Sequence, residues 1–152
     1  MFVIDTNILL YAANRDCPEH QPCLDLLERS RAQAGACYAT WGILYGFVRI
    51  ITHPRVLPRP WQTRSAWGFI EALLVCPAFS ILVETDRHAD VIGEIVSQIP
   101  GLAGNIVSDL HVAALMREHG IGTIYTRDVD FHRFPFLKVI DPINGEKRPQ
   151  IT

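Results

Sequence analysis

The 152-residue sequence has no apolar segment of the roughly 18 residues that a membrane-spanning helix requires. Charged residues, glycines or prolines interrupt every apolar stretch, and the opening MFVIDTN carries an acid, Asp5, where a signal peptide would have basic residues. We therefore expect a cytoplasmic protein. Its length and its 49% of apolar residues predict a single domain, residues 1–141, followed by a polar tail, residues 142–152.

Cysteine, lysine and net charge are also low. The four cysteines show no CxxC spacing, so a cysteine-bound zinc is not indicated, and in an intracellular chain we expect them to be reduced thiols. The formal net charge is −2, which gives no overall attraction to nucleic acid. Any contact with RNA would therefore depend on a local basic patch.

Short apolar segments alternate with longer amphipathic ones along the whole chain. Glycine, proline or a change of hydrophobic period separates them. Strands are predicted at residues 2–4, 36–40, 79–83, 123–126 and 137–140. Helices are predicted from residue 6 and over residues 19–34, 41–51, 63–75, 86–99 and 105–119, with 41–51 buried on most sides and the last one capped by Asn105. This alternation predicts an α/β domain whose mainly parallel sheet is covered on both faces.

Three separate segments bring four aspartates toward the carboxyl edge of the predicted sheet. Asp5 follows the first strand, Asp128 and Asp130 follow the strand TIYT, and Asp109 lies in the first turn of the preceding helix. Ligand sites of parallel α/β sheets lie at this edge. Each aspartate also has an ordinary structural explanation: Asp5 as a helix cap, Asp109 as a complement to the helix dipole, and Asp128 and Asp130 as turn residues. Their joint placement instead predicts a carboxylate site for Mg²⁺ or Mn²⁺, the hard cations that oxygen ligands favour.

Four motifs resemble those of the PIN-domain ribonuclease toxins called VapC. In chain order they are FVIDTNILLYA, WGILYGFVRIITHPRV, GNIVSDLHVAALMREHG and TRDVDFHRFP, and together they span most of the chain. The resemblance implies a PIN-like three-layer α/β domain with a five-stranded, mainly parallel sheet flanked by helices. It also implies an Mg²⁺- or Mn²⁺-dependent endoribonuclease, a cognate antitoxin and a homodimer.

The same resemblance assigns roles to individual residues. Asp5, Asp109 and Asp128 match the family's catalytic and metal-binding acids, and Asp130 is a possible auxiliary acid. Asn7 and Thr126 are plausible supporting groups that position the carboxylates or the phosphate. The implied reaction is hydrolysis of an RNA phosphodiester by a metal-activated water.

One position departs from the family pattern. Many PIN domains carry a further acid, usually Glu, on the helix after the second strand, but Gly46 occupies about that place here. This departure questions a four-acid arrangement with two firmly held metals.

Candidate RNA contacts are basic or aromatic side chains that recognise phosphates or stack on bases. The basic candidates are Arg49, Arg55, Arg127 and Arg133. Trp41 and Trp61 are candidate stacking platforms, although tryptophans also occur commonly in protein cores.

Two other functions fit parts of the sequence. A catalytically lapsed PIN fold would be a module that binds RNA or protein. A Mg²⁺-dependent phosphatase of the haloacid-dehalogenase kind also begins with a strand that ends in aspartate, but that family needs a DxD pair and a mid-chain lysine. Here the third position is Asn7, and the only lysines are Lys138 and Lys147. A dinucleotide enzyme is disfavoured because no GxGxxG follows the first strand.

Overall fold

The computed structural model describes residues 1–144. Of the predicted polar tail, residues 142–144 form a turn, and residues 145–152 lie outside the described residues. Within residues 1–144, no helix is long and apolar enough to cross a bilayer.

Five short strands form one parallel sheet, as predicted. They are β1 (Phe2–Ile4), β2 (Cys37–Thr40), β3 (Phe79–Leu82), β4 (Thr123–Tyr125) and β5 (Lys138–Ile140). Their order across the sheet is β3-β2-β1-β4-β5. The chain therefore runs outward from β1 to one edge, returns across the sheet to β4, and finishes at the other edge.

Six α-helices connect the strands. They are α1 (Thr6–Ala13), α2 (His20–Ser30), α3 (Trp41–Ile51), α4 (Thr63–Leu74), α5 (His88–Gln98) and α6 (Ile106–Glu118). Helix α1 packs on α2 and α3, α3 packs on α4, and α5 packs on α6. Since crossovers between parallel strands are right-handed, α1 to α4 cover one face of the sheet and α5 and α6 cover the other.

The reversal in strand order places β1 beside β4, with Val3 paired with Ile124 and Ile4 paired with Tyr125. Chain connections leave these two strands toward opposite faces, so a crevice opens beyond their carboxyl ends. This is the edge at which the sequence places its aspartates.

The helix α3 is less buried than its apolar sequence predicts. Ile43, Leu44, Phe47 and Ile51 face the core, but Trp41, Tyr45 and Arg49 are exposed at intervals of four residues. The prediction that this helix is buried on most sides was therefore wrong. Three to four residues separate neighbours on one helix face, so these three side chains form a continuous exposed row.

The helix α6 takes the more central position. Most of its residues are buried, including the run from Val112 to Met116. Its predicted cap was wrong: Asn105 has helical backbone angles and its side chain makes no capping hydrogen bond. The carbonyls of Gly104 and Asn105 instead accept from the amides of Val107 and Ser108 and close the first turn.

Candidate active site

Asp5 is fixed at the junction of β1 and β4. Its backbone is extended, its amide donates to the carbonyl of Tyr125 at 3.1 Å, and its carboxylate Oδ1 accepts from the amide of Thr6 at 2.6 Å. The other oxygen, Oδ2, accepts from Asn7 Nδ2 at 2.7 Å and from Thr126 Oγ1 at 2.6 Å. Asp5 therefore caps α1, as the sequence suggested, and also joins the two central strands.

The buried hydroxyl of Thr126 is the centre of this network. It donates to Asp5, and it accepts from Asn7 Nδ2 at 3.0 Å and from the amide of Asp128 at 2.9 Å. Asn7 Oδ1 in turn accepts from the amide of Arg127 at 3.2 Å. The two residues predicted to support the acids thus contact Asp5 directly and set the path of the loop that carries Asp128.

Three carboxylates converge beside this network. Single oxygens of Asp109, Asp128 and Asp130 all lie within 4.8 Å of one another. The Oδ1 atom of Asp128 accepts from the amide of Asp130 at 2.9 Å and so caps a 3₁₀ helix, Val129–Arg133, within the segment predicted to be a turn-rich loop. The tight turn explains why the auxiliary acid Asp130 reaches the same point as Asp128.

Asp5 lies behind this cluster and interacts with it electrostatically. Burial, followed by repulsion from Asp128, Asp5 and Asp130, raises the pKa of Asp109 from 3.8 to about 7. Burial also raises the pKa of Asp5; its hydrogen bonds with Thr126, Thr6 and Asn7 oppose this shift, and the charge of Asp128 adds to it. Several carboxylates thus share a region where negative charge is poorly tolerated.

This donor set suits a divalent cation. The three clustered side chains offer only carboxylate oxygens, the ligands preferred by hard cations, and a bound ion would relieve the repulsion that raises the pKa of Asp109. Asp5 Oδ1 accepts only one of the hydrogen bonds described above and retains a lone pair. Asp5, Asp109 and Asp128 are the residues that would hold the ion, with Asp130 as an auxiliary carboxylate.

The acids open into a cavity of about 730 Å³ between α3 and α6. Asp109, Asp128 and Asp130 line one side, and Gly42, Tyr45, Gly46 and Arg49 line the other. Arg49 makes no ion pair with any residue from 1 to 144, and Tyr45 is 62% exposed. A cationic and an aromatic side chain thus face the carboxylates across the opening.

Gly46 has a packing reason to lack a side chain. A Cβ at this position would lie 3.0 Å from Thr6 Oγ1, which donates to the carbonyl of Ile43 at 3.1 Å. The close contact between α1 and α3 therefore crowds any Cβ at this position.

Sequence reasoning missed three residues that line the cavity. Tyr45, Asn105 and Ser108 surround the acids, although only Asn105 was considered, and then as a cap. Ser108 precedes Asp109 directly, and Tyr45 lies one turn from both Trp41 and Arg49. The spacing within α3 was the available signal for Tyr45.

The other RNA-contact candidates lie elsewhere. Arg127 is 2.8 Å from Glu19 and 3.5 Å from Asp141, and Arg133 donates to the carbonyls of Pro100 and Gly101 at 3.0 Å each. Arg55 is exposed beyond the end of α3. Among the aromatic candidates, Trp41 is 41% exposed, whereas Trp61 is partly buried and packs against the core.

The pattern of the whole chain agrees with this geometry. A sequence model described as the PIN domain matches residues 2–137. The chain belongs to the PIN-domain family. Membership in this family decides against the haloacid-dehalogenase alternative and confirms the resemblance seen in the motifs.

Named relatives place the chain in the VapC subgroup of the PIN domains. Over 141 residues it is 33% identical to Ribonuclease VapC48 of Mycobacterium tuberculosis, an alignment that covers 93% of this chain and 97% of the relative. Over 156 residues it is 35% identical to Ribonuclease VapC24 of the same species, with coverages of 96% and 99%. The VapC subgroup inferred from the motifs is confirmed by these identities.

A solved PIN-domain structure confirms the fold. VapBC2 from Rickettsia felis, described as bound to a DNA fragment from its promoter, superposes with a TM-score of 0.65 at 18% identity, covering 91% of this chain and 96% of that chain. The predicted five-stranded parallel α/β architecture is therefore correct.

Proposed function

We propose that this protein is a Mg²⁺- or Mn²⁺-dependent endoribonuclease that acts as the toxin of a toxin–antitoxin pair. The proposal depends on one observation: Asp109, Asp128 and Asp130 converge at the crevice beyond β1 and β4, with Asp5 held behind them. The names of the VapC relatives support ribonuclease activity.

The chain's own residues would bind the ion and orient the carboxylates that hold it. Asp5, Asp109 and Asp128 would hold the ion, with Asp130 as an auxiliary carboxylate. Asn7 and Thr126 would keep the carboxylate of Asp5 in one orientation through the hydrogen bonds described above. When bound, a divalent ion supplies the Lewis acidity that activates water and offsets charge during phosphodiester hydrolysis.

Arg49 and Tyr45 are the RNA contacts that the cavity favours. A guanidinium donates two parallel hydrogen bonds to a phosphate, and an exposed aromatic ring stacks on an unpaired base. Trp41, whose ring centre lies 6.3 Å from that of Tyr45, extends the same row. Arg55, Arg127, Arg133 and Trp61 stay predictions as RNA contacts, and Arg127 and Arg133 would first have to leave their partners within the fold.

The decisive experiment is cleavage of cellular RNA by purified protein with Mn²⁺, Mg²⁺ or chelator. We expect cleavage that chelator abolishes. Asp5→Asn, Asp109→Asn and Asp128→Asn should each reduce the rate by more than about 100-fold, because even groups that only orient ligands contribute roughly 10–100-fold. Asp25→Asn, at a partly exposed position on α2 whose carboxylate accepts from Gln21, is the matched control and should cleave normally.

The alternative of a catalytically lapsed binding module makes a different prediction. Such a protein would show no RNA cleavage under any ion condition and little Mn²⁺ binding in a calorimetric titration. Equal cleavage by the wild type and the Asp109→Asn variant would instead show that the chemistry lies elsewhere in the molecule.

An antitoxin partner follows from the same proposal. The structural neighbour VapBC2 is named as a complex, and we propose that this chain likewise binds an antitoxin, whose arginine would reach the acid cluster, and that it forms a homodimer. Both assemblies would occur in the cytoplasm, where RNA is available. Light scattering of the protein alone and with the product of the neighbouring gene tests both assemblies.

A further inference from the structure

A second group of metal-ligating side chains lies at the same edge of the sheet. Glu84 follows β3, His88 begins α5, and His111 lies on α6 two residues after Asp109. One ligand atom from each of the three lies within 4.8 Å of the other two. His111 Nε2 is 2.8 Å from Glu84 Oε1, and the two imidazole centres are 5.4 Å apart.

A buried carboxylate orients one of these rings. The side chain of Glu118 has no exposed surface, and its Oε1 is hydrogen-bonded to His88 Nδ1. The amide and the hydroxyl of Thr85 donate to Glu118 Oε2 at 2.8 and 2.7 Å. Because Nδ1 makes this bond, Nε2 is the ring nitrogen of His88 that would bind a metal. Histidines that bind metals commonly pair their second nitrogen with a carboxylate in this way.

The chemistry of this group differs from that of the aspartate cluster. Two imidazoles and a carboxylate form a typical ligand set for Zn²⁺, whereas carboxylates alone favour Mg²⁺ or Mn²⁺. Glu84 and His111 are partly open to solvent, so an ion can reach them. Three protein ligands would leave a fourth position of a tetrahedral ion open.

We propose that Glu84, His88 and His111 form a Zn²⁺ site, separate from the aspartate cluster, with Glu118 as the residue that positions His88. His111 also lines a cavity of about 360 Å³ that contains Asp5 and Asp109. An ion at this site would therefore place positive charge beside the groove where an anionic substrate would bind. The Zn²⁺ site does not depend on ribonuclease activity.

The test measures metal binding rather than catalysis. The full chain carrying Asp128→Asn, which disables the aspartate cluster, is titrated with Zn²⁺ by calorimetry in excess Mg²⁺, and with Co²⁺ by visible absorption. We expect one Zn²⁺ per chain and the intense Co²⁺ absorption typical of a four-coordinate site with nitrogen ligands. His88→Ala and His111→Ala, each in that background, should weaken Zn²⁺ binding by more than about 100-fold, and Glu118→Gln by roughly 10–100-fold.

The matched control is His53→Ala, because His53 lies beyond α3 and its ring accepts from the amide of Arg55, at a distance along the chain from all four residues of the proposed Zn²⁺ site. It should bind Zn²⁺ as the Asp128→Asn parent does. Circular dichroism checks the fold of each variant. In case an alanine variant unfolds, imidazole ¹⁵N spectra of the Asp128→Asn chain provide a second measurement, in which one equivalent of Zn²⁺ should shift the signals of His88 and His111.

Several results would overturn the site. Unchanged Zn²⁺ affinity in a folded His88→Ala or His111→Ala variant would do so. Loss of all Zn²⁺ binding in Asp128→Asn would assign the metal to the aspartates instead. Unshifted His88 and His111 signals would mean that these rings form only ion pairs with Glu118 and Glu84.

Discussion

Asp109 is a carboxylate at which a negative charge is unfavourable. Burial and three neighbouring acids raise its pKa from 3.8 to about 7. In the metal-free protein, the folded state therefore holds a proton over this pH interval that the unfolded chain has released. The contribution of Asp109 to the free energy of unfolding of the metal-free protein consequently decreases as pH rises from 3.8 to about 7.

Metal binding should show the opposite pH dependence. Because a proton on Asp109 removes a ligand, the apparent Mn²⁺ affinity should fall as pH drops through about 7. Calorimetric titrations on both sides of this pH measure the effect. A Mn²⁺ affinity that is flat across this range would show that Asp109 is not a ligand that titrates there.

Thr126 provides a second test at the residue scale. Thr126→Val removes the hydroxyl that contacts Asp5, Asn7 and the amide of Asp128, and leaves these buried groups with fewer partners. We expect destabilisation of about 1–3 kcal/mol, measured by urea unfolding, and roughly 10–100-fold slower RNA cleavage.

Thr126→Ser keeps the hydroxyl and is the control. It should retain most of the cleavage activity. Equal loss of activity in the serine and valine variants would assign the role of Thr126 to its methyl group rather than to its hydrogen bonds.

The sequence predicted which acids belong to the site better than it predicted how they are arranged in space. Asp5 and Asp128 stand out because each follows a strand end, and Asp109 because it lies in the first turn of the helix before β4. The tight clustering of Asp130 with Asp128 requires a 3₁₀ turn that the sequence indicated only as a loop. Tyr45 was missed because the exposed face of an apolar helix depends on what packs around it.

At the scale of elements, the close contact between α1 and α3 crowds position 46 on the wall of the cavity. Gly46→Ala would place a Cβ 3.0 Å from Thr6 Oγ1. The gain of about 1 kcal/mol in helix propensity opposes this crowding, so the net change in stability is small or unfavourable.

A double-mutant cycle isolates the crowding. In a Thr6→Ala background the obstructing oxygen is absent, so Gly46→Ala should be more favourable there by about 0.5–3 kcal/mol, measured by urea unfolding. Gly68→Ala is the control, because a Cβ on α4 meets nothing within 4 Å and should stabilise by roughly 0.5–1 kcal/mol in both backgrounds. A coupling of zero would show that α1 and α3 can separate without cost.

Hydrophobic period and glycine or proline breaks were sufficient to predict all five strands and six helices, with small errors at their ends. They were not sufficient to predict which helix is central. Helix α3 is the more apolar in sequence, yet α6 is buried more completely because it lies between α5 and the loop that carries Asp130. Local sequence does not encode these neighbours.

At the scale of the whole molecule, the acid cluster links metal binding to stability. If Mn²⁺ binds the folded chain as proposed, a concentration 100 times its dissociation constant should stabilise the protein by about 2.7 kcal/mol. For a chain of this size, each kcal/mol corresponds to a rise in Tm of roughly 2–4 °C.

The comparison variant is Asp109→Asn. Above pH 7 and without metal it should melt at a higher temperature than the wild type, because it removes a charge that is poorly tolerated there. Its Tm should respond little to Mn²⁺. A wild-type Tm that is unaffected by Mn²⁺, measured by differential scanning calorimetry, would argue against binding at the aspartates.

The order of the site residues along the chain also affects when activity can begin. Asp5 precedes the clustered acids by about a hundred residues, since Thr126 and the three clustered carboxylates come from residues 109–130. A nascent polypeptide therefore has no assembled centre until synthesis has passed residue 130 and β4 has joined β1. The proposed nuclease centre is consequently incomplete in any nascent chain that stops short of residue 130.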